Sequence, residues 1–132
     1  MFGLNVDSDE LSFMVSQSVC SLSQIGSSTM IFVEFNSASL NIECFWRLRD
    51  SDRLIITSND KKHPDYDWSK DPVEEIKLIL AGKQIRSCYL AKETEDLFIQ
   101  FENDIWLDVL RDSTMYESWQ IDAGEQGYYI GG

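Results

Sequence analysis

The chain has 132 residues, 23 acidic and 11 basic, giving a formal charge of −12, with 43% apolar and 12% aromatic side chains. That length and apolar content suffice for one domain with a real core and argue against disorder. The charge disfavours nucleic acid and anionic lipid, because no basic stripe runs longer than Lys61-Lys62. A basic protein is left as the natural partner, unless the acidity serves solubility alone.

No apolar run approaches the ~20 residues of a membrane span. The first ten residues show no basic region followed by an apolar one, so no signal peptide is expected and a cytoplasmic location follows. Cys20, Cys44 and Cys88 are odd in number, widely spaced and set among strand-forming residues. They read as reduced core residues rather than disulfides or metal ligands.

In chain order, Ser8 or Asp7 caps a short helix through Leu11, Phe13, Met14 and Val15, ending at Ser16-Gln17-Ser18. A strand around 19–25 follows, then the turn Gly26-Ser27-Ser28. Ile31, Val33 and Phe35 share one face of a second strand and pair with Leu40, Ile42 and Cys44 across Asn36-Ser37. Another strand is expected at 54–57. Residues 58–70 form a polar loop carrying Tyr66 and Trp68, read either as a recognition surface or, for Trp68, as an anchor beside the next helix.

The second helix is signalled more fully. Asp71 precedes Pro72, Glu74 and Glu75 occupy the first turn, Ile76, Leu78, Ile79 and Leu80 supply the apolar stripe, and Gly82 ends it. Strands follow around 85–91, through Leu97, Ile99 and Phe101, and through Ile105, Leu107 and Val109, with later ones at 117–122 and 128–130.

Sliding the chain by 66 residues sets Met14 on Leu80, Val19 on Ile85, Ser21 on Ser87, Phe32 on Phe98 and Phe35 on Phe101. After one inserted residue Leu40 meets Leu107 and Ile42 meets Val109. The expected fold is α+β: one domain over 1–132 with a mainly antiparallel β-sheet, built from two similar α-β-β-β halves (7–57 and 71–122). Two short helices pack on the sheet. Met30, Phe32, Phe98, Trp106 and Leu110 fall on the opposite strand face, so either those helices or a homodimer contact must cover them.

Chemistry finds little material. His63 is the single histidine and has no nucleophile near it in sequence; with 23 carboxylates no acid/base pair stands out. Asp65-Tyr66-Asp67 opens like a calcium loop, but Lys70 and Ile76 stand where a glycine and a closing glutamate belong. Gly124-Glu125-Gln126-Gly127 lacks the strand and helix of a phosphate loop. The expectation is a non-enzymatic binding module with no catalytic residues, no metal and no cofactor.

The string Leu40-Asn41-Ile42-Glu43-Cys44-Phe45-Trp46-Arg47-Leu48, with Leu97-Phe98-Ile99-Gln100-Phe101 and Tyr116-Glu117-Ser118-Trp119-Gln120-Ile121, resembles a family of small bacterial domains. Those domains share a strand ending in Trp-Arg-Leu and a late Tyr-Glu-x-Trp. They occur as immunity proteins beside polymorphic or contact-dependent growth-inhibition toxins. The resemblance implies a protein that binds and neutralises a cognate toxin domain. Acidity suits a basic nuclease toxin, whose cationic channel carboxylates would block. The other reading is a homodimeric structural or regulatory adaptor.

The charge is uneven. Residues 67–132 hold 14 acids against 6 bases, and between positions 93 and 125 ten acids are opposed by Arg111 alone. The expected toxin-binding face therefore comprises Glu93, Glu95, Asp96, Glu102, Asp104, Asp108 and Asp112, joined by Asp65, Tyr66 and Asp67 of the middle loop.

Overall fold

A computed structural model describes residues 11–26, 28–60 and 71–131. Among them the chain forms ten strands, one α-helix and three short 3-10 turns. In order these are β1 (Val19–Gln24), β2 (Ile31–Phe35), β3 (Ser39–Ile42), β4 (Phe45–Arg49) and β5 (Leu54–Thr57). The helix α1 (Pro72–Leu80) comes next, then β6 (Ile85–Ala91), β7 (Asp96–Phe101), β8 (Ile105–Leu110), β9 (Trp119–Asp122) and β10 (Tyr128–Gly131).

All pairings within the two five-stranded sheets are antiparallel; the first sheet runs β1-β2-β3-β9-β10 and the second β5-β4-β8-β7-β6. Period-two alternation decides which side of each strand is buried. On β7, Leu97, Ile99 and Phe101 point inward while Asp96, Phe98 and Gln100 stay half-buried. On β4, Trp46 and Leu48 are buried and Phe45, Arg47 and Arg49 are not. The inner faces of both sheets and the apolar side of α1 share one core.

Each sheet is a three-strand meander extended by a hairpin from elsewhere in the chain. The hairpin β4–β5 leaves the first meander and pairs with β8, while β9–β10 leaves the second and pairs with β3. Read from its other edge, the second sheet is β6-β7-β8-β4-β5, the pattern of β1-β2-β3-β9-β10. Registers match too. Val19 faces Phe35 and Ile85 faces Phe101, each followed by an irregularity before Ser21 and Ser87 respectively. Where the edges β1 and β6 meet, Ser18 and Gln84 form an isolated antiparallel bridge. Beside it Ser16 N–H donates to the Ile85 carbonyl at 2.8 Å and Gly82 N–H to the Val19 carbonyl at 3.2 Å.

The helix α1 begins as its sequence predicts. The Asp71 carboxylate accepts from the N–H groups of Val73 (3.0 Å) and Glu74 (3.4 Å), and Pro72 needs no donor in the first turn. Val73, Ile76 and Leu80 are buried, but Leu78 is 74% exposed, because the helix seats a narrower stripe than the sequence suggested.

Two expectations are corrected. Among the described residues the first half has no α-helix: only Ser12–Met14 form a 3-10 turn. Val15 is already extended and Ser16 turns left-handed at φ 78°, so the chain leaves the helical region within one turn. The proposed caps Asp7 and Ser8 lie outside the described residues. The second half does run α1-β6-β7-β8, and each half adds a hairpin beyond its meander. Finally, α1 does not cover an outer sheet face; it packs against β1 and β5 and feeds the core.

Candidate functional site

The ten sequence-predicted residues divide. Asp65, Tyr66 and Asp67 lie outside the described residues. Glu93, Glu95 and Asp96 stand at or beside the β6–β7 turn, and Asp112 follows β8, at the same end of the second sheet. Arg111 binds there: its side chain donates to Glu95 at 2.6 Å, and its backbone N–H donates to the Asp96 carboxylate at 2.8 Å. Glu102 and Asp104 sit in the β7–β8 turn, one strand length away at the opposite end. Asp108 leaves the exposed set altogether, being fully buried between Arg47 and Arg49.

At the first end the structure adds residues that sequence reasoning passed over. The chain crosses from β3 to β4 through Glu43 and Cys44, and from β8 to β9 through residues 111–118. Asp112 accepts the Phe45 N–H at 3.2 Å, and Glu43 N–H donates to the Ser118 carbonyl at 2.8 Å, so the two crossings lie side by side. An open depression of about 590 Å³ between them is lined by Glu43, Met115, Tyr116, Glu117 and Gln120.

Side-chain hydrogen bonds organise its floor. Asn41 donates to Gln120 at 2.7 Å and to Glu43 at 2.8 Å, while Gln120 donates to Glu117 at 3.1 Å. Two amides thus hold two carboxylates at the rim. Above them Met115 is 86% and Tyr116 64% exposed, unusual for side chains of that size. The field here is negative. Burial pushes the Cys44 thiol up to about 12, and Asp112, Asp96 and Glu43 push it in the same direction.

No family model, curated protein or solved structure matches this chain. What the site can do must be read from its own chemistry. Among the described residues no group of three or more His, Cys, Asp or Glu is placed to hold a metal ion, and no described helix is long and apolar enough to cross a membrane. The open shape, exposed Met and Tyr, and surrounding carboxylates are features of a contact surface.

A hint was present in the sequence. The two crossings do the same topological task, yet one uses two residues and the other eight. Aligned by the 66-residue offset, the second half carries its extra residues between Val109 and Trp119, where Met115, Tyr116 and Glu117 stand. Glu43 escapes a reading by charge density because it belongs to the less acidic half.

Proposed function

We propose that this protein is a non-catalytic, cytoplasmic inhibitor that binds a basic partner protein, acting as an immunity protein against a cognate bacterial toxin, a nuclease domain. The observation that carries the reading is the extended crossing 111–118, which presents Met115 and Tyr116 beside Glu43, Asp112 and Glu117. The reading takes the two halves as copies of one unit. The fold is then satisfied by a two-residue crossing, and the longer one serves recognition.

Met115 and Tyr116 supply apolar contact, and the carboxylates attract and orient a cationic surface. Glu93, Glu95 and Asp96 extend the negative field. Carboxylates seated in a nuclease's cationic channel would exclude the phosphate backbone it must grip. The rival reading, a homodimeric adaptor, draws on the half-buried aromatic side chains left on the outer face of the second sheet.

The test is co-expression with the toxin encoded beside the gene, combined with binding in vitro. The wild-type protein protects cells and binds, with an association rate that falls steeply as salt rises. Met115→Ser with Tyr116→Ala leaves folding within about 0.5 kcal/mol and abolishes protection. Failure to bind or protect refutes the reading; self-association strengthened by salt supports the adaptor.

A further inference from the structure

The outer face of the second sheet sets two arginines among aromatic side chains. Across its strands one row reads Tyr89, Phe98, Asp108, Arg47, Thr57, and the next reads Ser87, Gln100, Trp106, Arg49. Arg49 grips Asp108 with two hydrogen bonds, Nε to Oδ2 at 2.6 Å and Nη2 to Oδ1 at 3.0 Å, while Arg47 Nε donates to the same Oδ2 at 2.7 Å. The Arg49 guanidinium lies 4.8 Å from the Trp106 ring centre, and Trp106 stacks on Tyr89 at 6.0 Å.

The matching row of the first sheet serves as an internal control. It reads Ser23, Phe32, Asn41, Gln120, Ile130. Where the second sheet has Asp108 beside Arg47, the first has Asn41 beside Gln120, a neutral pair joined at 2.7 Å. Even the outer hydroxyl bond recurs, Ser21 to Glu34 at 2.8 Å and Ser87 to Gln100 at 2.9 Å. The architecture therefore accepts an uncharged pair at this place. A buried carboxylate with two arginines is a costlier solution that adds little net stability.

We propose that this face is a second docking surface, for a protein segment that presents a carboxylate beside apolar or aromatic side chains. Charge complementarity selects that partner. Asp108 is fully buried and both its oxygens are occupied, so the charge at the centre of the face is guanidinium, with Arg47 and Arg49 keeping 39% and 31% side-chain exposure. Arg47 engages Asp108 through Nε alone, leaving its two terminal amino groups without a protein acceptor among the described residues.

Two further carboxylates, Asp96 and Asp104, stand at opposite ends of the face, on either side of the Arg47–Asp108 pair. Asp104 accepts from Trp106 at 3.2 Å and Gln100 at 3.3 Å. Asp96 accepts from Arg111 and Thr94. An incoming carboxylate takes the Arg47 amino groups, and its apolar neighbour lies on Tyr89, Phe98 and Trp106. This surface is distinct from the 111–118 crossing and does not depend on the inhibitor reading.

The experiment is a nuclear magnetic resonance titration of the full chain, following the Nε–H signals of Arg47 and Arg49 and the Trp106 indole. The probe is a short capped peptide of alternating glutamate and phenylalanine, compared with its glutamine counterpart. The glutamate peptide shifts the Arg47 and Trp106 signals saturably; the glutamine peptide, and Arg47→Gln tested with the glutamate peptide, bind at least about tenfold more weakly. Because Arg49 still holds Asp108, Arg47→Gln keeps the sheet, and the peptide comparison on wild type needs no variant. Equal response to both peptides, no response at millimolar peptide, or sedimentation showing the face closed by a second copy would overturn the proposal.

Discussion

Trp46 and Trp119 make the same hydrogen bond in opposite sheets: the indole of Trp46 donates to the Thr29 carbonyl and that of Trp119 to the Glu95 carbonyl, each at 2.8 Å. Both tryptophans are fully buried near the start of a hairpin lent to the far sheet. Each ties that hairpin back to the first turn of its own meander. Replacing either by Phe removes one donor while keeping most of the apolar contact. A loss of about 1–2 kcal/mol is expected for each, similar in the two sheets, as read from urea unfolding.

Gly131 is the close neighbour that makes the second clamp possible. It pairs with Trp119 across the β9–β10 ladder, and a Cβ there would collide with the indole, Nε1 foremost. Gly131→Ala must push the ring off the Glu95 carbonyl, at a cost of about 1–3 kcal/mol. A blue-shifted or broadened Trp119 indole signal should accompany the fall in unfolding midpoint; an unchanged midpoint would remove the steric argument.

The Arg47–Asp108–Arg49 cluster predicts an asymmetry between the sheets. Asp108→Asn leaves two guanidinium groups facing a neutral amide. Because both arginines are about one-third exposed, the loss is set at about 2–4 kcal/mol, below that of a wholly buried pair. Asn41→Ala at the matching place of the first sheet breaks only neutral and rim hydrogen bonds, and about 1–2 kcal/mol is expected. Denaturant unfolding with unchanged m-value decides, and equal losses would contradict the account.

Cys44 and Cys88 set an alkaline limit. Burial, first for both, raises each thiol from 9.0 to about 12. The folded state then keeps protons that the unfolded state releases. Their contribution is fully present below pH 9 and is lost as pH climbs from there toward 12, by up to about 1.4 kcal/mol per pH unit for each thiol. Cys44→Ala with Cys88→Ala should flatten that limb in unfolding measured from pH 8 to 11. At pH 8 thiol reagents should label exposed Cys20 first.

What could be seen in advance follows from how local its cause is. The start of α1 was legible because Asp71, Pro72 and the two glutamates act within one turn, and the meanders because alternation is a short-range pattern. The exchanged hairpins were not, since β3 meets β9 and β4 meets β8 across distances no local pattern records. Asp108 shows the same limit: its alternation marks it as outward-facing, yet Arg47 and Arg49, 61 and 59 residues away in sequence, bury it. Leu78 failed in reverse, apolar in a helical stripe but left in solvent. At the 111–118 crossing the exposed Met115 and Tyr116 became informative only once the two-residue counterpart at Glu43 and Cys44 was in place beside it.

The central claim is that this crossing binds a basic partner. The most direct measurement is the association rate and affinity for the protein encoded by the adjacent gene, at low and high salt, for wild type and for Tyr116→Ala combined with Glu117→Gln. The wild-type chain should bind tightly, with an association rate that drops steeply with salt, and the variant should stay folded but bind at least about tenfold more weakly. Absence of binding, or binding that ignores both salt and the two substitutions, would contradict it.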